Sequence, residues 1–300
     1  MTIPYAKHYQ DVPDLVSLLR TRGLTINDEP KARNYLTNIG YFRLSAYFYP
    51  LLQLPKTAHN YKTGSTFEQV LNLYRFDRKL RLLVFNEIEK IEVAVRSIMV
   101  NTACRHFNDT FWITQNRYFY NQNYFNSSIA EIDSELLKSK EDFIEHFKNT
   151  YSDVYPPAWM LAEILPLGNI CRIYKNLNDA GLKKKIARQF GMQPQAFESW
   201  IMTIGGLRNM CCHHSRLWNR VLPLRTSLPQ NTQFLWLNNP STVDVQRVYF
   251  RLCMIRYLLF SVSPHNTFRE KLVDLLSKYP GVDINAMGFT AGWQQEPLWR

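Results

Sequence analysis

From about Thr66 to Phe107 apolar residues recur at three- and four-residue intervals, the longest helical pattern in the chain. Phe76, Leu80, Val84, Ile88, Ile91, Val95 and Ile98 follow one face, and Leu82, Phe85 and Val93 form a second apolar strip. A helix that is apolar on two faces belongs at the centre of a bundle. Ser65 and Glu68 have the spacing of a capping box that would open it. Convincing period-two alternation occurs nowhere and there is no internal repeat. The sequence therefore predicts an all-α fold, a helical bundle.

The rest of the chain divides into shorter helical patterns. Pro13 suits a helix start, Leu15, Leu18 and Leu19 give an apolar stripe, and Gly23 stops it. Asn27 or Asp28 can cap the next helix, with Pro30 in its first turn, and Gly40 ends it before a run from Tyr41 to Tyr49. The polar stretch 56–65 is the expected linker. It separates a small N-terminal helical subdomain, 1–60, from the main bundle, 61–300. Residues 110–127 resist assignment, whereas 128–151 reads as one amphipathic helix. Pro157 can begin another, which Pro166 and Gly168 must kink or break. Pro194 fits the first position of a helix with Phe197, Ile201, Ile204, Leu207 and Cys211 facing inward. Patterns over 244–262 and 268–276 close the bundle.

Composition narrows the function. Hydrophobic residues make up 46% of the chain and glycines number only 11, which excludes a disordered tail. A net charge of +11 calls for an anionic partner, nucleic acid before a membrane surface. Five cysteines without a CxxC pair point to reduced thiols rather than a disulfide framework. The opening residues, Met1 to Lys7, lack an apolar leader core, and no apolar run is long enough to span a bilayer. A cytoplasmic protein without membrane attachment is expected.

Within that frame one segment carries chemistry: Leu207-Arg208-Asn209-Met210-Cys211-Cys212-His213-His214, followed by Ser215 to Arg220. Asn209 and His213 are four apart and share a helix face; Arg208 and His213 are five apart and flank a groove. Arg208 suits a bidentate grip on a phosphodiester, His213 can take a proton from a ribose 2′-OH, and Asn209 can orient the histidine or contact the phosphate. The expected products are a 2′,3′-cyclic phosphate and a free 5′-OH. DNA lacks the nucleophile. The required acid is either His214 or the same motif of a second subunit across a two-fold axis; the dimer is preferred because adjacent helical residues diverge by roughly 100°. No metal or other cofactor is called for, since contiguous helical residues such as Cys211 to His214 cannot wrap one ion. Glu92 and Arg96 form an i,i+4 pair that either decorates a helix surface or braces Arg208. Lys183, Lys184, Lys185 and Arg188, with Arg216 and Arg220, are candidate contacts to an RNA backbone. A non-catalytic RNA-binding regulator on the same fold is the alternative.

Five passages together resemble a known family. They are Leu19-x-x-Arg22-Gly23-Leu24 leading to Ile39-Gly40-Tyr41-Phe42-Arg43; Phe76-Asp77-Arg78 running through Ile91-Glu92-x-Ala94-x-Arg96; Pro157-Ala158-Trp159-Met160 with Glu163, Leu167-Gly168 and Tyr174; Arg208 through Arg220; and Met287-Gly288-Phe289 with Trp293 and Pro297-Leu298-Trp299. In this order they resemble the Abi-like (abortive infection) bacterial proteins, a branch of the HEPN superfamily of helical ribonucleases. The resemblance implies a bundle whose Arg-x4–6-His motif is a ribonuclease site, usually completed by dimerisation. It implies a phage-defence toxin restrained by an antitoxin protein or a small RNA. By motif position Arg208 and His213 inherit the catalytic roles, with Asn209 beside them. The first 60 residues gain no role from it.

Overall fold

The computed structural model describes residues 4, 6, 8–223 and 226–300. The opening residues read above as lacking a leader lie mostly outside the described ones. The described chain is all-α, with no strand and three isolated bridges. Its contacts separate two units, one comprising the chain up to Leu80 with Leu275–Val282, the other Arg81–Asp274 with Asp283–Arg300. No described helix is long and apolar enough to cross a membrane.

In the first unit, α1 (Val12–Thr21), α2 (Glu29–Ile39) and α3 (Tyr41–Phe48) follow one another closely. Carboxylates set the starts of the first two. Asp11 accepts from the Asp14 N–H and Asp28 from the Lys31 N–H, each at 2.9 Å. Gly40 separates α2 from α3 at φ 86°, a conformation that costs a side chain but not glycine. Helix α4 (Phe67–Phe107) passes from this unit into the other. Its capping box forms one residue beyond the predicted one. The Gln69 N–H donates to Thr66 Oγ1 at 3.2 Å, and the Thr66 N–H to Gln69 Oε1 at 2.9 Å.

Among the described residues the second unit holds the rest of α4, seven further α-helices and most of an eighth. The segment predicted as one helix over 128–151 is two, α5 (Gln122–Lys138) and α6 (Asp142–Thr150). Ser139 leaves the helix with ψ 130°, and Lys148 Nζ turns back to the freed Leu136 carbonyl at 2.8 Å. Pro166 does break the next pattern, separating α7 (Ala158–Ile164) from α8 (Leu167–Asn176). Then come α9 (Ala180–Gln189), α10 (Pro194–Cys212), α11 (Val248–Val262) and α12 (Phe268–Ser277). Helix α10 packs on α8, α9 and α11. Val248 to Leu259 of α11 are buried without interruption, so this helix forms the centre of the unit's core. Trp200 of α10 lies against Tyr257, and Trp299 from the chain's last turn lies against Tyr249.

One expectation about α4 fails. Its first strip is buried from Phe76 to Val95, but Leu82, Phe85 and Val93 are 57%, 36% and 56% exposed. The second apolar strip faces outward in the single chain, so α4 is not enclosed on both sides.

Candidate functional site

Helix α10 delivers the motif and ends inside it. Its backbone ladder runs as far as the His213 N–H, which donates to the Asn209 carbonyl at 2.9 Å, so Asn209 and His213 stay one turn apart. His213 is the C-terminal cap. His214 then adopts a left-handed conformation (φ 57°), its N–H bonding to Cys211 O at 3.1 Å while the Ser215 N–H reaches Met210 O at 2.8 Å. These two bonds make a Schellman closure with histidine in the position glycine usually fills. Arg81 of α4, itself buried, approaches the Ser215 carbonyl at 3.5 Å and so touches the turn from outside. His213 and His214 therefore do not diverge as neighbours on a continuous helix; the chain has turned between them.

Arg208 sits one turn before that cap, facing α4. Its Nε lies 3.5 Å from Glu92 Oε2, near enough to pair electrostatically but outside hydrogen-bond geometry, and that nitrogen is buried. The side chain as a whole is 39% exposed, so its exposure belongs to other atoms. Glu92 spends its second oxygen on Arg96, 2.5 Å away, and these two side chains are only 14% and 11% exposed. Arg96 in turn donates to the carbonyls of Ala162, at 2.5 Å, and Leu165, where α7 ends. The end of α7 thus fixes Arg96, Arg96 fixes Glu92, and Glu92 faces Arg208. Cys171 of α8 borders the same network. Burial first, and the nearby Glu92 carboxylate second, push its thiol up to about 12, so it stays protonated and is no nucleophile.

Asn209 and His213 are both exposed, and neither side chain has a hydrogen-bond partner among the described residues. The arrangement therefore offers a braced guanidinium, a free amide and a free imidazole at one helix end. That set can hold a phosphate and exchange a proton. Among the described residues no three His, Cys, Asp or Glu side chains gather as metal ligands would.

The remaining basic candidates do not form one track. Lys183 turns inward, donating to the Lys175 carbonyl at 2.8 Å and pairing with Glu198 at 3.0 Å. Lys184, Lys185 and Arg188 are exposed on α9. Arg216 is half-buried in the turn after α10. Arg220 lines a cavity of about 200 Å³ against another face of α10, together with Thr203, Leu207 and Arg251. Burial lowers the Arg251 guanidinium to about 10.

Sequence reasoning missed the carbonyls that hold Arg96 and the buried Arg81 at the cap. Neither left a local signal, because the partners lie 66 and 134 residues away. Comparison with known proteins places the chain further. The family described as Abi-like protein matches residues 34–219, a span that includes α4, α10 and the motif from Arg208 to His214. No curated protein and no solved structure matches. The chain belongs to the Abi-like protein family.

Proposed function

We propose that this protein is a metal-independent endoribonuclease of the HEPN type, acting as a toxin in abortive infection. The observation that carries the reading is the braced Arg208 beside an exposed, unpartnered His213 and Asn209 on a protein of net charge +11. Arg208 grips the scissile phosphate and stabilises the charge that develops on it. His213 removes the proton from the 2′-OH, whose oxygen attacks the adjacent phosphorus. The P–O5′ bond breaks, leaving a 2′,3′-cyclic phosphate and a 5′-oxygen that takes up a proton.

That last proton needs a second acid. The exposed strip of Leu82, Phe85 and Val93 lies on α4, the helix that carries Glu92. A second copy seated there covers the strip and supplies its own His213, so a C2 dimer completes the chemistry. An antitoxin protein or small RNA that covers the same face would silence the enzyme.

The test is RNA incubated with purified protein in EDTA, with the product ends identified. Wild type cuts and leaves cyclic phosphate; Arg208→Ala and His213→Ala do not. If wild type leaves RNA intact at every concentration, or His213→Ala cuts as well as wild type, the reading is wrong. One observation favours a second reading, a non-catalytic RNA-binding regulator: among the described residues no side chain or backbone group hydrogen-bonds the His213 ring. That reading predicts salt-sensitive RNA binding that survives Arg208→Ala, with no cleavage product.

A further inference from the structure

At the far end of α4 a cavity of about 570 Å³ opens against α9, walled by Asn101, Thr102, Arg105, His106, Lys185 and Gln189. Lys185 Nζ donates to His106 Nδ1 at 2.9 Å, and His106 Nε2 faces the Asp179 carboxylate at 2.7 Å. The pair of contacts fits a neutral imidazole protonated on Nε2. The ammonium therefore meets the imidazole and not a carboxylate, the Asp179 oxygens lying on the ring's far side. Arg105 is exposed and has no partner among the described residues. Gln189 donates to Thr102 Oγ1 at 2.8 Å, which leaves its second amide hydrogen for a ligand. No carboxylate forms part of the wall, since Asp179 stands behind the imidazole.

A cavity elsewhere in the same unit shows the contrast. There Lys138 and Lys140 stand among Glu135, Glu141 and Glu163, so carboxylates outnumber ammoniums. Position adds a second argument. His106 follows Glu92 by fourteen residues on α4, about 21 Å along the axis and about 40° short of four full turns. One edge of α4 therefore presents Glu92 to Arg208 and His106 to Lys185. Exposed Lys184 and Arg188 continue the positive edge on α9.

We propose that this cavity is a second phosphate site, built from Arg105, Lys185 and the neighbouring amides, which holds a backbone phosphate of the RNA strand bound at Arg208. It rests on the reading of Arg208 as the site of the scissile linkage. The guanidinium and ammonium take the anionic oxygens, and the amides of Asn101 and Gln189 supply neutral donors. A strand held at both ends is fixed in direction across the cleavage site.

Binding of a labelled single-stranded RNA with 2′-O-methyl groups, which cannot be cut by 2′-OH attack, tests it by anisotropy across salt concentrations. The full-length R105Q/K185Q variant should bind about tenfold more weakly, and its salt slope should flatten by about 0.7, the share of one phosphate contact on a single strand. A dinucleotide, too short to span about 21 Å, should bind both proteins alike. The control K138Q/K140Q removes two charges from the carboxylate-rich cavity and should change little. The proposal is overturned if R105Q/K185Q matches wild type, if the control loses as much, or if wild type binds no RNA. It is also overturned if the double variant loses only ATP or tripolyphosphate binding, which would make the site one for a free nucleotide. Cleavage of unmodified RNA is a separate readout. A wild type that binds in this manner but cuts nothing sinks the ribonuclease and leaves the cavity's role intact.

Discussion

Glu92 offers the sharpest test of the braced-arginine argument, because its two oxygens serve different arginines. At 3.5 Å from the Arg208 Nε, a unit charge pair is worth about 1 kcal/mol at the dielectric of water and about 5 kcal/mol at an effective value of 20. Arg208 is 39% exposed, which pulls the coupling toward the lower figure, to about 1–2 kcal/mol. Glu92→Gln keeps the shape and an acceptor for Arg96 while removing the charge. Arg208→Ala removes the other partner. A double-mutant cycle by urea denaturation should therefore return a coupling of about 1–2 kcal/mol. Glu92→Ala should cost more than Glu92→Gln, since it also deprives the largely buried Arg96 of its one side-chain acceptor.

The same cycle on single-turnover RNA cleavage separates positioning from bulk stability. Glu92→Gln alone should slow the chemical step about 10- to 100-fold, the range expected when a transition-state donor is held loosely. In the Arg208→Ala background the substitution should slow nothing further. A Glu92→Gln enzyme as fast as wild type, or equal losses in both backgrounds, refutes the claim that Glu92 acts through Arg208. A coupling within error of zero refutes the pairing itself.

Three further outcomes are expected. Replacing Leu82 and Val93 together by glutamate should leave the helical circular dichroism unchanged but convert a sedimenting dimer to a monomer and abolish cleavage; a variant that still sediments as a dimer rules out this strip as the interface. His214→Gly should stabilise the fold by about 0.5–1 kcal/mol in thermal unfolding, by relieving a left-handed side chain, and cleavage should persist if the acid is, as proposed, a second His213; lost cleavage in a stable variant makes His214 the acid. Hydrogen bonds from His106 and from the Leu182 N–H hold the Asp179 carboxyl below its ordinary value. Its stabilising effect is therefore complete above the unfolded value of about 3.9 and fades as pH falls below that through the lowered folded value. Asp179→Asn should flatten this acid limb of the stability profile, and an unchanged limb between pH 5 and 2 counts against the contact.

Local chemistry was the part of the fold that the sequence disclosed. Asp28, Gly40, Pro166 and Pro194 each mark a boundary because their own side chains, or lack of one, decide the backbone there. The break at Ser139 escaped for a physical reason. Ile132, Leu136, Ile144 and Phe147 are all buried and remain close to helical phase across it, so periodicity alone cannot register the interruption. Leu82, Phe85 and Val93 misled in another way. An apolar strip demands cover, but periodicity does not say whether the cover comes from the same chain. In the candidate site, Arg208, Asn209 and His213 could be named from residue type and spacing. The pairing of Glu92 with Arg96 could be named likewise, from its i,i+4 spacing. What holds Arg96 could not, because the end of α7 is a set of backbone carbonyls that any sequence would present.

The role of α4 follows from those long-range contacts taken together. Arg81 meets Ser215, Glu92 meets Arg208, Thr102 meets Gln189, and His106 meets Lys185. The numbers rise along α4 as they fall from α10 to α9, so the side chains lock an antiparallel register over about 38 Å. A shift of one residue would turn Glu92 about 100° away from Arg208 and His106 equally far from Lys185. The guanidinium at one end and the basic cavity at the other are therefore set by one rigid element, not by two independent loops. The proposed cutting of a flexible strand would benefit from that construction. If Arg208 and the cavity hold one strand as proposed, the spacing between those two grips is a property of a helix, and the carboxylate that faces Arg208 belongs to the same helix as Arg105.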